Sequence, residues 1–323
     1  MRRPIRTAWL ATAAMAVLSL TASGCVTVHG ELAVVPSVER SEAAKALTAF
    51  VDAYNAADKA YDPALDKGRV TGALGAINQA GLRSKSVTSP GGNPHHTDLV
   101  LDDARFTIPK KAGWPRWFVA DAAPAGQQRS GGGVRWLMAF VRESPEADWK
   151  AAYLTTMAAG AIPHFTTGSD GYAVPPTGAD LAVAPARLSA DYASYLQTGS
   201  PDDFAPGPHT DRWRADRAHD AKQPASTVQY ADQPLKGGAF TPLALSTQDG
   251  GAFVFFATRY FQRQTTAAGF RPQVAADVRP LVRGTVHTKL TKDWMSSQVA
   301  EVPAGGKVAI ISRLEGVTGA TGS

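Results

Sequence analysis

The sequence contains very little cysteine, because Cys25 is the only thiol among 323 residues. One thiol cannot form an intramolecular disulfide, so an exported domain of this kind depends on its hydrophobic core for stability. The sequence also has no cysteine pair, no His-Glu-x-x-His motif and no acidic calcium loop, which are common signatures of zinc and calcium sites. We therefore predict no bound metal and no cofactor.

Charge of one sign is not concentrated anywhere in the chain. The sequence holds 33 lysines and arginines against 28 aspartates and glutamates, and three of the arginines precede Cys25. Without those three the balance is 30 against 28, which is close to neutral. No basic cluster with interleaved aromatic residues occurs, so nucleic acid is not predicted as a partner.

A long uninterrupted apolar run is missing as well, although a shorter one lies near the start. Arg2, Arg3 and Arg6 precede an uncharged segment over 7–28, which threonine, serine and glycine interrupt. A membrane-spanning helix needs about 20 mainly apolar residues. Basic residues, an apolar segment and then small residues are typical of an export signal.

The end of this segment, Leu-Thr-Ala-Ser-Gly-Cys over 20–25, resembles the bacterial lipobox. The resemblance implies a signal peptide over 1–24, a diacylglycerol on the Cys25 sulfur and a further acyl chain such as palmitate on the new amino terminus. The membrane is then a partner, the protein is held at its extracytoplasmic face, and residues 25–38 form a tether. Two alternatives stay open, namely a secretory signal cleaved elsewhere and an uncleaved anchor helix.

The first half of the remaining chain predicts helices followed by strands. Apolar residues recur at three- and four-residue spacing over 47–61, with Glu39 and Glu42 near the start, where the helix dipole favours negative charge. A second, shorter helix is predicted from Val70 and is ended by Gly81. Strands are predicted over 117–120, 134–141 and 149–157, with a glycine-rich hairpin turn over 127–133.

The second half predicts the same order. One helix starts at Pro185, which suits a helix start, and another covers 210–217. A hairpin follows, with strands over 243–246 and 252–261 and a turn at 248–251. A strand with one buried face is predicted over 282–290. A last hairpin has strands over 294–302 and 308–311 and a turn at 303–306.

Two copies of helices followed by antiparallel hairpins predict the α+β class. We predict a first domain over 39–166, a linker over 167–179, a second domain over 180–316 and a flexible tail over 317–323. The order resembles the cone-shaped fold of the nuclear transport factor two-like superfamily, which includes steroid isomerases and many exported bacterial domains. That resemblance implies two tandem domains, each with a curved antiparallel sheet around its leading helices.

The whole chain is also similar to uncharacterised lipoproteins of high-GC Gram-positive bacteria. The lipobox, the stretch Trp114-Pro115-Arg116-Trp117-Phe118 with Phe106 before it, and Asp148-Trp149-Lys150 carry this second resemblance. It implies a place in the cell envelope and no particular activity.

No catalytic motif stands out. Gly168-Ser169-Asp170-Gly171 is not a nucleophile elbow, and His95-His96 is interpreted as part of a solvated turn. Cone-shaped isomerases hold an acid or a histidine in the pocket at the open end of the sheet. His209, Asp211 and His287 are the corresponding candidates here, with Tyr260 as a hydrogen-bond donor; alternatively, His287 lies on the solvent face of its strand.

The leading hypothesis is a surface lipoprotein that acts as a binding or scaffolding module in the cell envelope. Its partner would be an envelope protein or a small apolar ligand. The alternative is a pocket-based isomerase or hydrolase on the second domain.

Overall fold

The computed structural model describes residues 33–126, 133–178 and 180–323. Cys25, the signal segment and most of the predicted turn over 127–133 lie outside the described residues. The helices are α1 Arg40–Ala60, α2 Gly72–Thr88, α3 Leu188–Thr198 and α4 Asp211–Asp220. The strands are β1 Val34–Pro36, β2 Leu101–Thr107, β3 Lys110–Ala112, β4 Arg116–Pro124, β5 Val134–Arg142, β6 Lys150–Ala158, β7 Lys222–Gln223, β8 Ser226–Leu235, β9 Leu243–Ser246, β10 Ala252–Thr266, β11 Val282–Arg283, β12 Lys289–Val302 and β13 Ala309–Gly322. Separate helices and largely antiparallel sheets confirm the α+β class.

Helix α1 buries one side, as its apolar spacing predicts. The residues it buries recur every three or four positions: Ala43, Ala46, Leu47, Phe50 and Ala57. Glu39 is the N-cap residue and Glu42 lies in the first turn. The Glu42 carboxylate accepts a hydrogen bond from the Trp149 indole Nε1 at 2.9 Å, so the helix start is tied to the first sheet.

Helix α2 is longer than predicted, and the prediction that Gly81 ends it is wrong. The helix continues to Thr88. A Cβ atom at Gly81 would meet nothing within 4 Å, so the position is open, and a glycine inside a helix costs only about 1 kcal/mol relative to alanine. Leu82 and Ser84 are buried beyond it, so tertiary packing continues the helix.

The first sheet has four antiparallel strands in the order β2-β4-β5-β6. On its α1 side, the rings of Phe118 and Phe140 stack with centroids 4.9 Å apart, and Phe50 of α1 meets Phe140 edge-on at 5.8 Å. Side chains alternate between the two faces of a strand. Its other face therefore presents a second apolar set, which includes Val119 and Tyr153.

The second sheet has seven strands in the order β11-β13-β12-β10-β8-β7, with β9 also paired to β10. The hairpins β9–β10 and β12–β13 confirm the turns predicted over 248–251 and 303–306. Val254 and Phe256 of β10 pack towards α3, whereas Phe253 and Phe255 pack against the first sheet. This alternation places the second sheet between α3 and the first sheet.

The layers therefore run from α1 through the first sheet and the second sheet to α3 and α4. Residues from Ala33 to Ser323 form one compact unit, and the two halves share the core between their sheets. The boundaries over 39–166, 167–179 and 180–316 stay a prediction. None of the helices in the described ranges is long and apolar enough to span a membrane.

Three predicted segments need correction. Residues 317–322, predicted as a flexible tail, continue β13 and pair with β12 and β11. Residues 34–38, predicted as the end of the tether, belong to the fold, because β1 pairs with β3 and Val38 is buried. The strand predicted over 282–290 is interrupted, since β11 covers only Val282–Arg283 and β12 starts at Lys289.

Candidate functional site

An open groove runs between α1 and β2 and is called here the α1–β2 groove. Its volume is about 720 Å³, which lies in the range of roughly 300–1,000 Å³ typical of small-molecule sites. Helix α1 contributes one stripe of residues at helical spacing: Ala44, Leu47, Thr48, Val51, Asp52 and Asn55. The facing wall comes from the strand and the loop before it: Asp98, Leu99, Val100, Leu101, Ala104 and Phe106.

A bulge in β2 gives this wall its apolar character. The pairing of β2 with β4 shifts between Asp102 and Arg105, and Asp103 has a positive φ of 48°. A bulge inserts an extra residue and changes which side chains face one side of a strand. Leu101 consequently lines the groove together with Ala104 and Phe106, whereas in a regular strand it would lie on the opposite face.

Arg135 holds the bulge in place. Its Nη1 donates to the Asp103 carboxylate at 2.9 Å and its Nη2 donates to the Asp103 carbonyl oxygen at 2.8 Å. Its Nε donates to the Asp121 carboxylate. Arg135 is only 6% exposed, so water has little access to the donor side of these charge-assisted bonds. The charged, bulged edge of β2 also disfavours the addition of another strand, which leaves the groove as the open surface.

The loop before β2 is fastened to α1 by Asn55. The Asn55 Nδ2 donates to the Leu99 carbonyl oxygen at 2.9 Å, and the Leu99 backbone N–H donates to the Asn55 Oδ1 at 2.8 Å. An amide side chain can pair with a backbone peptide group in this way because it carries both a donor and an acceptor. The bond pair fixes the distance between the two walls of the groove.

His96 fastens the same loop through two carboxylates. Its Nδ1 lies 2.9 Å from Asp58 on α1, and its Nε2 lies 2.8 Å from Asp98 in the groove wall. Hydrogen bonds to Asp58 and then Asp98 raise the pKa of His96 above its ordinary value. Only the protonated ring can donate to both carboxylates at once, so this clamp is complete when His96 is charged.

A smaller, basic cleft adjoins the groove at Phe106, which lines both. Its volume is about 320 Å³, and its lining includes Arg40, Arg105, Arg135 and Asp121. Arg135 is committed to Asp103 and Asp121. Arg40 donates to the Phe106 carbonyl oxygen at 3.3 Å and is exposed.

The candidate catalytic residues of the second half lie elsewhere. Asp211 is exposed at the first position of α4, and its carboxylate accepts the Gly207 N–H at 2.6 Å. That hydrogen bond lowers the pKa of Asp211, as expected for a carboxylate at a helix start. His209 is half-buried, and burial followed by the charge of Arg313 lowers its pKa.

His287 is not brought near the other two. It is exposed, and its backbone N–H donates to the Ser323 carbonyl oxygen at 3.3 Å. The charge of Glu315 acts on His209, so Glu315 lies near it. In the strand register, Glu315 of β13 is opposite Ser296 of β12. Strand β12 begins only at Lys289, so its stretch from Lys289 to Ser296 alone spans about 23 Å. The structure does not gather His209, Asp211 and His287 into one site.

The face of the second sheet beneath α4 is filled by side chains. Arg217 of α4 donates through Nη1 to both carboxylate oxygens of Asp232 at 2.9 and 2.8 Å. Its guanidinium lies over the rings of Tyr260 and Tyr230, at 4.5 and 4.6 Å from their centroids. Tyr260, predicted as a donor, does donate, but to Glu315 at 3.0 Å.

Burial raises the pKa of the Asp66 carboxyl to about 6, although hydrogen bonds from Asn78 and Gln79 act to lower it. It is fully buried, so no substrate reaches it, and its bonds tie the preceding loop to α2. Among the described residues, no group of three or more His, Cys, Asp or Glu side chains is arranged to hold a metal ion.

Comparison with known proteins gives the family. Residues 34–322 match the family described as a domain of unknown function, DUF8094. The chain belongs to this family. It is 50% identical over 316 residues to an uncharacterized lipoprotein of Streptomyces coelicolor, covering 97% of this chain and 94% of the relative. It is 45% identical over 320 residues to an uncharacterized lipoprotein of Streptomyces avermitilis, covering 97% and 95%. No solved structure matches the chain.

These relatives confirm the similarity to lipoproteins of high-GC Gram-positive bacteria. The resemblance to the nuclear transport factor two-like superfamily stays a prediction. The α1 wall of the groove has a signal in the sequence. Ala44, Thr48 and Asn55 continue, at helical spacing, a second stripe beside the buried face of α1.

Proposed function

We propose that this protein is a lipid-anchored protein at the extracytoplasmic face of the cell membrane that binds an elongated apolar ligand in the α1–β2 groove. The observation that carries the proposal is the groove itself. Leu47, Val51, Leu101 and Phe106 give it apolar walls on both sides. Ligand sites combine such walls with a few polar groups that orient the ligand.

The anchor is supported by the lipobox around Cys25 and by the lipoprotein names of the two Streptomyces relatives. Residues from Val34 onward belong to the fold. Val34 lies nine positions after Cys25, which limits the tether to about 30 Å when extended. The groove would therefore work close to the membrane surface.

The alternative of an isomerase or hydrolase on the second half finds no support in the geometry. His209, Asp211 and His287 do not converge, and the sheet face beneath α4 is occupied by Arg217 and the tyrosines around it. A binding role needs only an accessible surface of suitable chemistry, which the α1–β2 groove provides.

A chain-length series tests the binding role. Each methylene removed from water contributes about 0.8 kcal/mol, so affinity rises up to about fourfold per added carbon until the groove is full. The measurement is displacement of an environment-sensitive apolar dye by octanol, decanol and dodecanol from the Cys25→Ala protein. Affinity that does not depend on chain length contradicts the proposal.

Filling the groove provides a matched pair of variants. Ala44 lines the groove, whereas Ala56 is exposed on α1 outside it. Ala44→Phe should weaken dye and dodecanol binding by about tenfold or more through steric exclusion. Ala56→Phe should leave both unchanged, and equal loss in the two variants would show that the dye binds elsewhere.

The anchor is tested separately by metabolic labelling with a clickable fatty acid. The unaltered protein should carry the label and stay with the membrane fraction, because acyl chains hold it there. Cys25→Ala should lose both properties. Label that persists in Cys25→Ala refutes lipidation at that residue.

A further inference from the structure

We propose that the ligand is a single-chain amphiphile with an anionic head, a carboxylate or a phosphate, whose head lies in the basic cleft and whose chain lies in the α1–β2 groove. This inference rests on the proposed function. It adds the chemical class of the ligand and the direction in which the ligand lies.

The groove and the basic cleft adjoin at Phe106, which lines both, so a ligand chain in the groove can place its head in the cleft across the edge of β2. On α1, Arg40 lies one turn before Ala44 and continues the stripe that ends at Asn55. The fifteen steps of helix from Arg40 to Asn55 correspond to about 22 Å. A path of this length suits an extended chain better than a compact ring system.

The two ends of the path differ in charge. Asp52 and Asp98 line the end of the groove away from Phe106. Arg40 and Arg105 line the basic cleft at the other end. His96 offsets part of the charge of Asp98, so Asp52 is the main group that would repel an anionic head, and the two arginines would attract it. Charge complementarity therefore sets the direction of the ligand.

Arg40 has the donors for such a head. Among the described residues, its only hydrogen bond is to the Phe106 carbonyl oxygen. Arg105 shares one bond at 2.7 Å with Asp103, which Arg135 also neutralises. Asp121 lies in the cleft but is paired with Arg135. Guanidinium groups bind carboxylates and phosphates through paired N–H donors, so the free donors of Arg40 and Arg105 fit either head.

The test compares heads on one chain length. Dodecanoate, dodecyl phosphate, dodecanol and dodecylamine are titrated into the Cys25→Ala protein, alone and with Arg40→Gln plus Arg105→Gln. At least one anionic ligand should bind about tenfold more tightly than dodecanol, the size of one charge-assisted hydrogen bond. The arginine variant should lose most of that preference while its dodecanol affinity stays the same. Arg212→Gln plus Arg271→Gln, at two exposed arginines outside both clefts, removes the same charge and should change nothing.

Each result has one meaning. A preference for dodecanoate alone, for dodecyl phosphate alone or for both supports the proposal and identifies the head. Equal affinity for anionic ligands and dodecanol, a preference for dodecylamine, or a preference that survives the arginine variant overturns it and leaves the proposed function standing. If none of the four ligands binds, the proposed function itself fails.

Discussion

The two halves each place helices on the outer face of a sheet, yet the first leaves a groove open beside its edge strand β2 and the second is filled by side chains. In the first half, α1 and the bulged β2 leave a groove of about 720 Å³ between them. In the second half, α4 places Arg217 against the sheet, and its guanidinium lies over the rings of Trp213, Tyr230 and Tyr260. Whether a sheet face binds a ligand is therefore decided by the side chains that cover it.

A buried arginine serves each half in a different way. Arg135 and Arg217 are each 6% exposed. Arg135 bonds to the backbone and side chain of the bulge and shapes the groove wall. Arg217 pairs with one carboxylate, Asp232, and occupies space with its guanidinium. Substitutions at these two residues should consequently affect stability and binding in different proportions.

The largest expected effect is that of Arg217→Ala. It leaves the Asp232 carboxylate buried without its partner, which costs about 3–5 kcal/mol of unfolding free energy. Binding of the apolar dye to the folded fraction should not change, because the groove lies on the other sheet. Urea unfolding and dye titration measure the two quantities. Arg212→Ala, at an exposed position of α4, is the control and should stay within about 0.5 kcal/mol of the unaltered protein. A loss of dye affinity in Arg217→Ala would break the comparison between the halves.

Arg135→Ala should lower the unfolding free energy less than Arg217→Ala does, and it should weaken dye binding more. Its partners Asp103 and Asp121 have side-chain exposures of 45% and 14%, against 1% for Asp232, so water replaces some of the lost bonds and the cost is about 2–3 kcal/mol. Without Arg135 the bulge is free to relax, and dye affinity should fall by about tenfold or more, assuming about 1.4 kcal/mol per factor of ten. The same two measurements apply. Unchanged affinity would show that the bulge does not need Arg135.

A smaller effect concerns pH. Hydrogen bonds to Asp58 and Asp98 raise the pKa of His96 in the folded protein. Because the pKa of His96 is higher in the folded protein than in the unfolded chain, its protonation stabilises the fold. This stabilisation is complete below the unfolded pKa of about 6.5 and is lost as pH rises through the folded pKa. The Leu99 amide, bonded to Asn55 in the same loop, should therefore lose hydrogen-exchange protection above neutral pH.

Protection factors, which are normalised for intrinsic exchange, measure this effect. The Gly251 amide, bonded to Asp249 at 3.1 Å, lies in a hairpin turn without histidine and serves as the control. His96→Gln should abolish the pH dependence at Leu99. A pH dependence that persists in His96→Gln would assign it to another group.

Much of the fold could be predicted from local patterns. The spacing of apolar residues gave α1, and Asp249-Gly250-Gly251 and Gly305-Gly306 gave two hairpin turns, because glycine supplies the backbone freedom that turns need. Such features depend on residues near each other in the chain.

The wrong predictions all involve distant contacts. The glycine-rich end of β13 has weak strand propensity, but pairing with β12 orders it. Helix α2 continues past Gly81 because Leu82 and Ser84 pack beyond it. The β2 wall of the groove could not be predicted, because its bulge depends on Arg135 reaching Asp103, which is 32 residues earlier. The contact of His96 with Asp58 could not be predicted for the same reason, since Asp58 lies 38 residues before it.

Photocrosslinking tests the central claim most directly. A dodecanoic acid analogue with a diazirine near its chain end is bound to the Cys25→Ala protein, irradiated, and its attachment sites are mapped by mass spectrometry. The label should fall on the walls of the α1–β2 groove, within 44–55 and 98–106, and unlabelled dodecanoate should compete it away. Saturable label on α3, α4 or the strand residues around Tyr260 would contradict the assignment of the open face to the first half.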